Sequence, residues 1–259
     1  MTVAASGSDF PDVRSFHERI AADLRDEIMT GDLAPGVRLP STAQLKERFE
    51  AAGATVQKAL HLLKDEGLVV GRAGAAVTVR DHRQRTMRPA AYMAAPEAGR
   101  PYRWLSEVAK EGGRARSNLI EVTEALPPAD VAAALGLPAQ GFAVLRRQLL
   151  TIDEEPAELV SSYYSLEMAR GTVLAAKRRI SGGTPAALTE LGYPPARSVD
   201  RVSARVPTQE QYRALKLPGD LPVLRTLRVV LDEEGRPLEA TVMVKAGHLY
   251  EIEYEFTAD

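Results

Sequence analysis

The stretch Pro35-Gly36-Val37-Arg38-Leu39-Pro40-Ser41 decides the reading of the chain. Pro35-Gly36 is a turn pair. Ser41, with Gln44 three residues on, makes a capping box whose side chains satisfy the open amides of a new helix. A helix is therefore predicted from about Ser41 to Phe49. Upstream, Ile20, Leu24 and Ile28 recur at four-residue spacing with Ala21 beside them, an apolar stripe on a helix that stops near Gly31. Downstream, Gly53 marks a short break. Val56, Leu60 and Leu63 then form a third stripe, ending at Gly67, a good left-handed cap. This face leaves Thr55, Gln57, Lys58, His61 and Lys64 pointing away from the core, a polar and basic strip suited to a major groove. Two β-branched runs, 68–70 and 75–79, follow, joined by Gly71-Arg72-Ala73-Gly74 as a hairpin with one cation at its tip. Three helices and such a hairpin make a winged helix-turn-helix.

A chain of 259 residues, 45% hydrophobic and 26% charged, is long enough for two folded domains. The absence of cysteine excludes disulfides, thiolate nucleophiles and sulfur-ligated zinc, and no cofactor or metal is expected. The net charge of −2 means that DNA contact must come from a local basic surface. No apolar run is long enough to span a bilayer, and residues 1–11 are polar and small, so the expectation is a cytoplasmic protein with no membrane contact. Residues 1–14 read as a disordered tail and 15–80 as the DNA-binding domain. Residues 81–100 read as a linker carrying Arg85 and Arg88 in a basic cluster with Arg80, His82 and Arg83. That cluster is either a solvated tether or a patch touching flanking phosphates.

The remainder, 101–259, repeats itself. A short helix ending Ala134-Leu135-Gly136-Leu137-Pro138 has a counterpart ending Ala214-Leu215-Lys216-Leu217-Pro218. Each leads into a strand, Val144-Leu145-Arg146-Arg147 or Val223-Leu224-Arg225-Thr226, then an acidic turn, Asp153-Glu154-Glu155 or Asp232-Glu233-Glu234. A second strand follows, through Pro156-Ala157-Glu158 or Pro237-Leu238-Glu239. The fold class is α+β: an antiparallel-sheet domain built of two strand-helix-hairpin units about a pseudo-twofold, with a crevice expected between them.

The residues at 35–41, Thr55-Val56-Gln57-Lys58-Ala59-Leu60 and Leu63-Lys64-Asp65-Glu66-Gly67-Leu68 resemble the DNA-binding domain of GntR regulators. The resemblance implies that helix three enters the major groove and the wing reaches the adjacent minor groove, with Arg38, Ser41, Thr55, Gln57, Lys58, Arg72 and Gly74 on matching positions. Two departures stand out. Thr42-Ala43 replaces an acidic residue and an arginine, and Ala52-Gly53 replaces a Ser-Arg pair before helix three. The second part resembles the UTRA domain of the HutC branch, similar in fold to chorismate lyase. The match runs through Arg146-Arg147, Ser161-Ser162-Tyr163-Tyr164, Ala169-Arg170-Gly171-Thr172, Gly182-Gly183, Leu191-Gly192, Ala204-Arg205-Val206-Pro207 and 232–239. It implies a small-molecule effector, a homodimer and a double-stranded DNA operator, with repression as the usual mode.

Arg146, Arg147, Ser162, Tyr163, Arg205, Glu239 and Tyr254 are the candidate effector contacts, since a cation in an apolar strand needs an anionic partner. A salt bridge to Glu158 or Glu239 would serve equally. Gln148-Leu149-Leu150 and the apolar run after Glu239 point to a less charged, partly hydrophobic effector rather than a sugar phosphate. Two rival readings remain: an effector-independent repressor whose second domain only dimerises, and a lyase-like enzyme. None of His17, His61, His82 and His248 pairs locally with a nucleophile or metal motif, which argues against turnover.

Overall fold

The computed structural model describes residues 11–71, 76–80, 84–89, 103–110, 112–219 and 221–257, and divides into two compact units after Gln84.

In the first unit, α1 (Phe16–Thr30), α2 (Thr42–Arg48) and α3 (Gly53–Asp65) pack together. Ile20, Ala21, Leu24, Ile28, Leu45, Val56, Ala59 and Leu63 are each removed from solvent, at roughly 1.5–3 kcal/mol for each large aliphatic side chain. Gly31 ends α1 in the left-handed region, and Ser41 caps α2 through the reciprocal bonds with Gln44. Gly53 opens α3 rather than lying in a break, and Ala52 at its N-cap supplies no side-chain bond. Arg25 reaches from α1 to Glu66 at the end of α3 at 2.5 Å. Strands β1 (Val69–Val70) and β2 (Thr78–Val79) pair antiparallel, and the chain at 36–39 adds a third edge through Val79 N to Val37 O and Leu39 N to Val77 O. The wing tip with Arg72 and Gly74 lies outside the described residues.

The second unit opens with β3 (Arg85–Met87), so part of the predicted linker is a strand of this unit. It runs parallel to β10 (Tyr250–Ile252). Next come α4 (Arg103–Lys110) and the first repeat: β4 (Ala115–Ala125), α5 (Ala129–Ala134), β5 (Ala143–Ile152) and β6 (Glu155–Ser165). An excursion from 166 to 196 carries α6 (Leu166–Ala169) and α7 (Thr184–Glu190). The second repeat is β7 (Arg197–Arg205), α8 (Gln209–Ala214), β8 (Val223–Leu231) and β9 (Pro237–Ala246). The six long strands form one antiparallel sheet in the order β4-β5-β6-β9-β8-β7, a palindrome about the Ser161–Val242 pair.

The two repeats interlock. Helix α5 of the first packs on β9 of the second, while α8 of the second packs on β6 of the first. Arg225 on β8 meets Asp130 of α5 at 2.7 Å, and Arg147 on β5 meets Glu210 of α8 at 2.6 Å. Leu145, Tyr163, Leu227 and Ala240 fill the sheet face under α5 with Val131 and Leu135.

Structural register corrects one detail of the repeat. Bulges fall at Leu150/Thr151 and at Val230/Leu231, and counting back from them aligns Arg146 with Thr226 and Leu145 with Arg225. The motif match that set Arg146 beside Arg225 is one residue out. A one-residue slip exchanges faces, so Arg225 lies under the helices while Arg146 lies on the opposite face.

Candidate functional site

On the sheet face away from α5 and α8 lies a cavity of about 400 Å³. The sheet is its floor. Trp104 and Leu105 of α4, the 179–188 part of the excursion, and Met87, Pro89 and Ile252 wall it. Strand alternation fixes which residues the floor presents. Residues 146, 148 and 150 of β5 face in, as do 158, 160 and 162 of β6, and across the axis 239, 241, 243 and 245 of β9 and 226, 228 and 230 of β8.

One polar row crosses the floor through five strands in direct register: Arg146, Ser162, Thr241, Arg228 and Asp200. Arg228 holds Asp200 by two bonds of 2.7 Å, and the Ser162 and Thr241 hydroxyls lie 2.8 Å apart. Thr241 also donates to Glu239. The next row, related by the pseudo-twofold, is Gln148, Val160, Met243 and Thr226, mostly apolar at its centre. The halves of the cavity therefore differ in chemistry although they share a backbone plan.

The two carboxylates at equivalent positions, Glu158 and Glu239, show the difference most clearly. Glu158 is paired with Lys245 at 2.8 Å, and both are almost sealed from solvent. Glu239 is as deeply buried, but faces Tyr164 across the β6–β9 ladder at the position equivalent to Lys245. It accepts a hydrogen bond from the Thr241 hydroxyl.

Arg146 is 1% exposed and donates to the carbonyls of Leu174, Ala176 and Arg178 at 2.7–2.9 Å. Carbonyls solvate the guanidinium without neutralising it. Burial accordingly pushes its pKa down, while the nearby Tyr164 and Glu239 push it up. Its Nε, the Trp104 Nε1 and the Thr226 hydroxyl are buried polar atoms without a hydrogen-bond partner among the described residues, all on cavity-lining residues. Arg179 and Arg197 stand exposed at the rim with no carboxylate partner among the described residues.

Of the seven effector candidates, Arg146, Ser162 and Glu239 line this cavity. Tyr254 reaches it indirectly: its hydroxyl donates to Asp200 at 3.1 Å, and burial together with that carboxylate raises the phenol to about 12. Three candidates lie elsewhere. Arg147 and Tyr163 have the opposite parity to Arg146 and Ser162 and serve the helix-covered face, Arg147 bound to Glu210 and Tyr163 packed in the core, where burial raises its phenol. Arg205, at the exposed end of edge strand β7, donates to the Ser203 hydroxyl on the same strand. Asp200, Arg228, Thr241 and Lys245 line the cavity and were not singled out from sequence. Their strand parity relative to Glu239 is the signal that marks them.

The first unit places Gln57 and Lys58 exposed on α3, with Thr55 half-buried in its first turn. Gln57 Nε2 donates to Thr42 Oγ1 at 3.0 Å, so the departing Thr42 is a brace between α2 and α3. Ser41 is committed to its cap, and Arg38 lies exposed beside β2. His61 pairs with Asp65 one turn along at 3.5 Å. Among the described residues there is no cluster of three or more potential metal ligands, and no helix is long and apolar enough to cross a membrane.

Comparison with known proteins matches residues 16–79 to the bacterial regulatory proteins of the gntR family and residues 110–251 to the UTRA domain. An uncharacterized HTH-type transcriptional regulator of Streptomyces coelicolor is 30% identical over 92% of this chain and 91% of its own length. The chain belongs to the GntR family. The HTH-type transcriptional regulator GgaR of Escherichia coli K12 is 22% identical, covering 90% of this chain and 87% of its own. PhnF from Mycobacterium smegmatis has the same fold, with a TM-score of 0.55 at 18% identity over 92% of this chain and all of the other. A further GntR-family regulator of known structure reaches 0.60 at 22% identity, over 95% and 99%. The GntR chain described here is thus a DNA-binding transcription regulator and not an enzyme, with the UTRA domain following the reader as the sequence resemblance implies.

Proposed function

We propose that this GntR regulator is a homodimeric repressor whose hold on a near-palindromic operator is set by a small molecule in the second unit's cavity. The exposed strip at Gln57 and Lys58, together with Thr55, Arg38 and Ser41, and with Arg72 and Gly74 from outside the described residues, supplies base and phosphate contacts. The observation that carries the gating is the cavity itself. Its deep ion pairs, Lys245–Glu158 and Arg228–Asp200, are complete, yet Trp104 Nε1, Arg146 Nε and the Thr226 hydroxyl have no partners among the described residues. Orphaned buried donors are costly, and a ligand rich in acceptors satisfies them. Arg179 and Arg197 favour an anionic end at the rim, Glu239 accepts from a hydroxyl or amine, and Leu150, Val160 and Met243 favour an apolar body. The ligand class is a small, partly apolar acid.

The test has two parts. Binding to DNA upstream of the protein's own gene, measured at two salt concentrations, must be sequence-selective and salt-sensitive. A melting-temperature screen against organic acids must then find a compound that stabilises the protein in a concentration-dependent way and changes operator affinity. Selective DNA binding with no stabilising compound would favour a repressor whose second unit only dimerises.

A further inference from the structure

The floor and one wall of the cavity differ sharply in mechanical character. The floor is six long strands hydrogen-bonded into one sheet, covered on its far face by interlocked helices. The wall holding Met87, Pro89 and Ile252 is a separate two-stranded parallel pair, β3 with β10. Its outer side is held by surface contacts: Thr86 with Glu251 at 2.5 Å, Arg88 with Glu253 at 2.8 Å and Arg85 with Asp153 at 3.3 Å. Exposed pairs of this kind contribute little to stability. Met87 and Tyr250 anchor the pair in the core on its inner side, yet a two-stranded element of three residues a side opens at lower free energy than a six-stranded sheet. Strand β3 is also the first element of the second unit, beginning at the residue after Gln84, where the first unit ends.

We propose that the β3–β10 pair is the element through which occupancy of the cavity is passed to the DNA reader. A ligand pressing on Met87, Pro89 and Ile252 displaces or tightens β3, and β3 is covalently continuous with the chain leading back to the reader. The floor stays fixed. Coupling then needs no movement of the six-stranded sheet, only two arrangements of a three-residue strand whose balance the ligand biases. This inference rests on the ligand-gated reading above.

The chain has no cysteine, so Thr86→Cys with Glu251→Cys introduces a single closable bridge between β3 and β10. These positions are partners in the ladder, about 4.8 Å apart, within the range a disulfide spans. Met243→Trp, from the floor, serves as a built-in cavity filler, with Val160→Phe as substitute if the first does not fold by thermal melt. Operator affinity is measured on the full chain, with the bridge open and closed. The expected result is that filling the cavity changes operator Kd about tenfold with the bridge open and less than about twofold with it closed. An equal change in both states overturns the proposal. So does no change on filling while the unfilled chain binds its operator.

If the unfilled chain binds no operator, the reading of the first unit fails instead, and amide exchange decides the coupling. The Arg85 amide, bonded to the Leu249 carbonyl, must change its protection about tenfold on filling while the Thr241 amide on the floor does not. Unchanged protection at Arg85 overturns the proposal.

Discussion

Lys245 Nζ lies 2.8 Å from Glu158 Oε1 in the floor of the cavity, with each side chain 5% exposed. Removing one partner of such a pair strands a charge away from water, whereas removing both need cost little. Lys245→Met is expected to destabilise the second unit by roughly 3–5 kcal/mol. The double variant with Glu158→Leu should recover most of that loss. Urea unfolding of the two variants checks this. Equal stability of the single and double variants would show that the pair is not isolated from solvent.

On the reader, Lys58 is exposed on α3 and makes no ion pair among the described residues. If it meets a phosphate, Lys58→Ala lowers affinity by a similar factor on every operator variant and reduces the slope of log affinity against log salt by about one. A loss confined to particular base pairs would mean that Lys58 reads bases instead.

Acid should loosen the seam where the 114 and 153 turns meet. The Arg114 backbone amide, with the Arg85 and Arg114 guanidinium groups nearby, holds the Asp153 carboxyl below its ordinary value of 3.8. A carboxyl depressed in the folded state adds stability that is present above 3.8 and is lost as pH falls through the folded value. Asp153→Asn is therefore expected to flatten the part of the stability curve below about pH 4 and to leave its shape near neutrality unchanged. Melting temperature against pH for both proteins provides the comparison.

At the alkaline end, burial raises the Tyr250 phenol to about 12, and burial with Asp200 does the same for Tyr254. Both groups have raised folded values, so their contribution is whole below pH 10 and disappears as pH rises towards 12. Tyrosinate absorbance should show a late-titrating class, diminished in Tyr254→Phe. A titration complete near pH 10 in the folded protein would contradict the burial of Tyr250 and the contact of Tyr254 with Asp200.

Local signals were enough to recover the reader from sequence. Ser41 with Gln44, the Ile20-Leu24-Ile28 stripe and Gly31 each act within one or two turns, and each appears in the helices as read. The repeat was legible for a similar reason, because proline, acidic turn and paired glutamates recur in order. What could not be read was the facing of strands. Whether Arg146 or Arg147 enters the cavity depends on which face of β5 is covered by α8 and which by the excursion, a non-local choice that no adjacent residue announces. Arg146 also owes its setting to carbonyls at 174–178, in an excursion with no counterpart in the repeat, so nothing in β5 itself foretells its partners.

The crossed helices bear on how the chain comes to be folded. With α5 seated on β9 and α8 on β6, neither half completes its own core, and β3 waits for β10, whose first residue comes 165 positions after Arg85 pairs with it in the ladder through Tyr250. During synthesis the second unit therefore stays open until its last strands emerge, and such long-range pairing makes folding slow. A chain broken off before β9 presents an unfinished sheet to proteases and chaperones rather than a half-working sensor. Refolding of the second unit should accordingly proceed without a stable half-domain species.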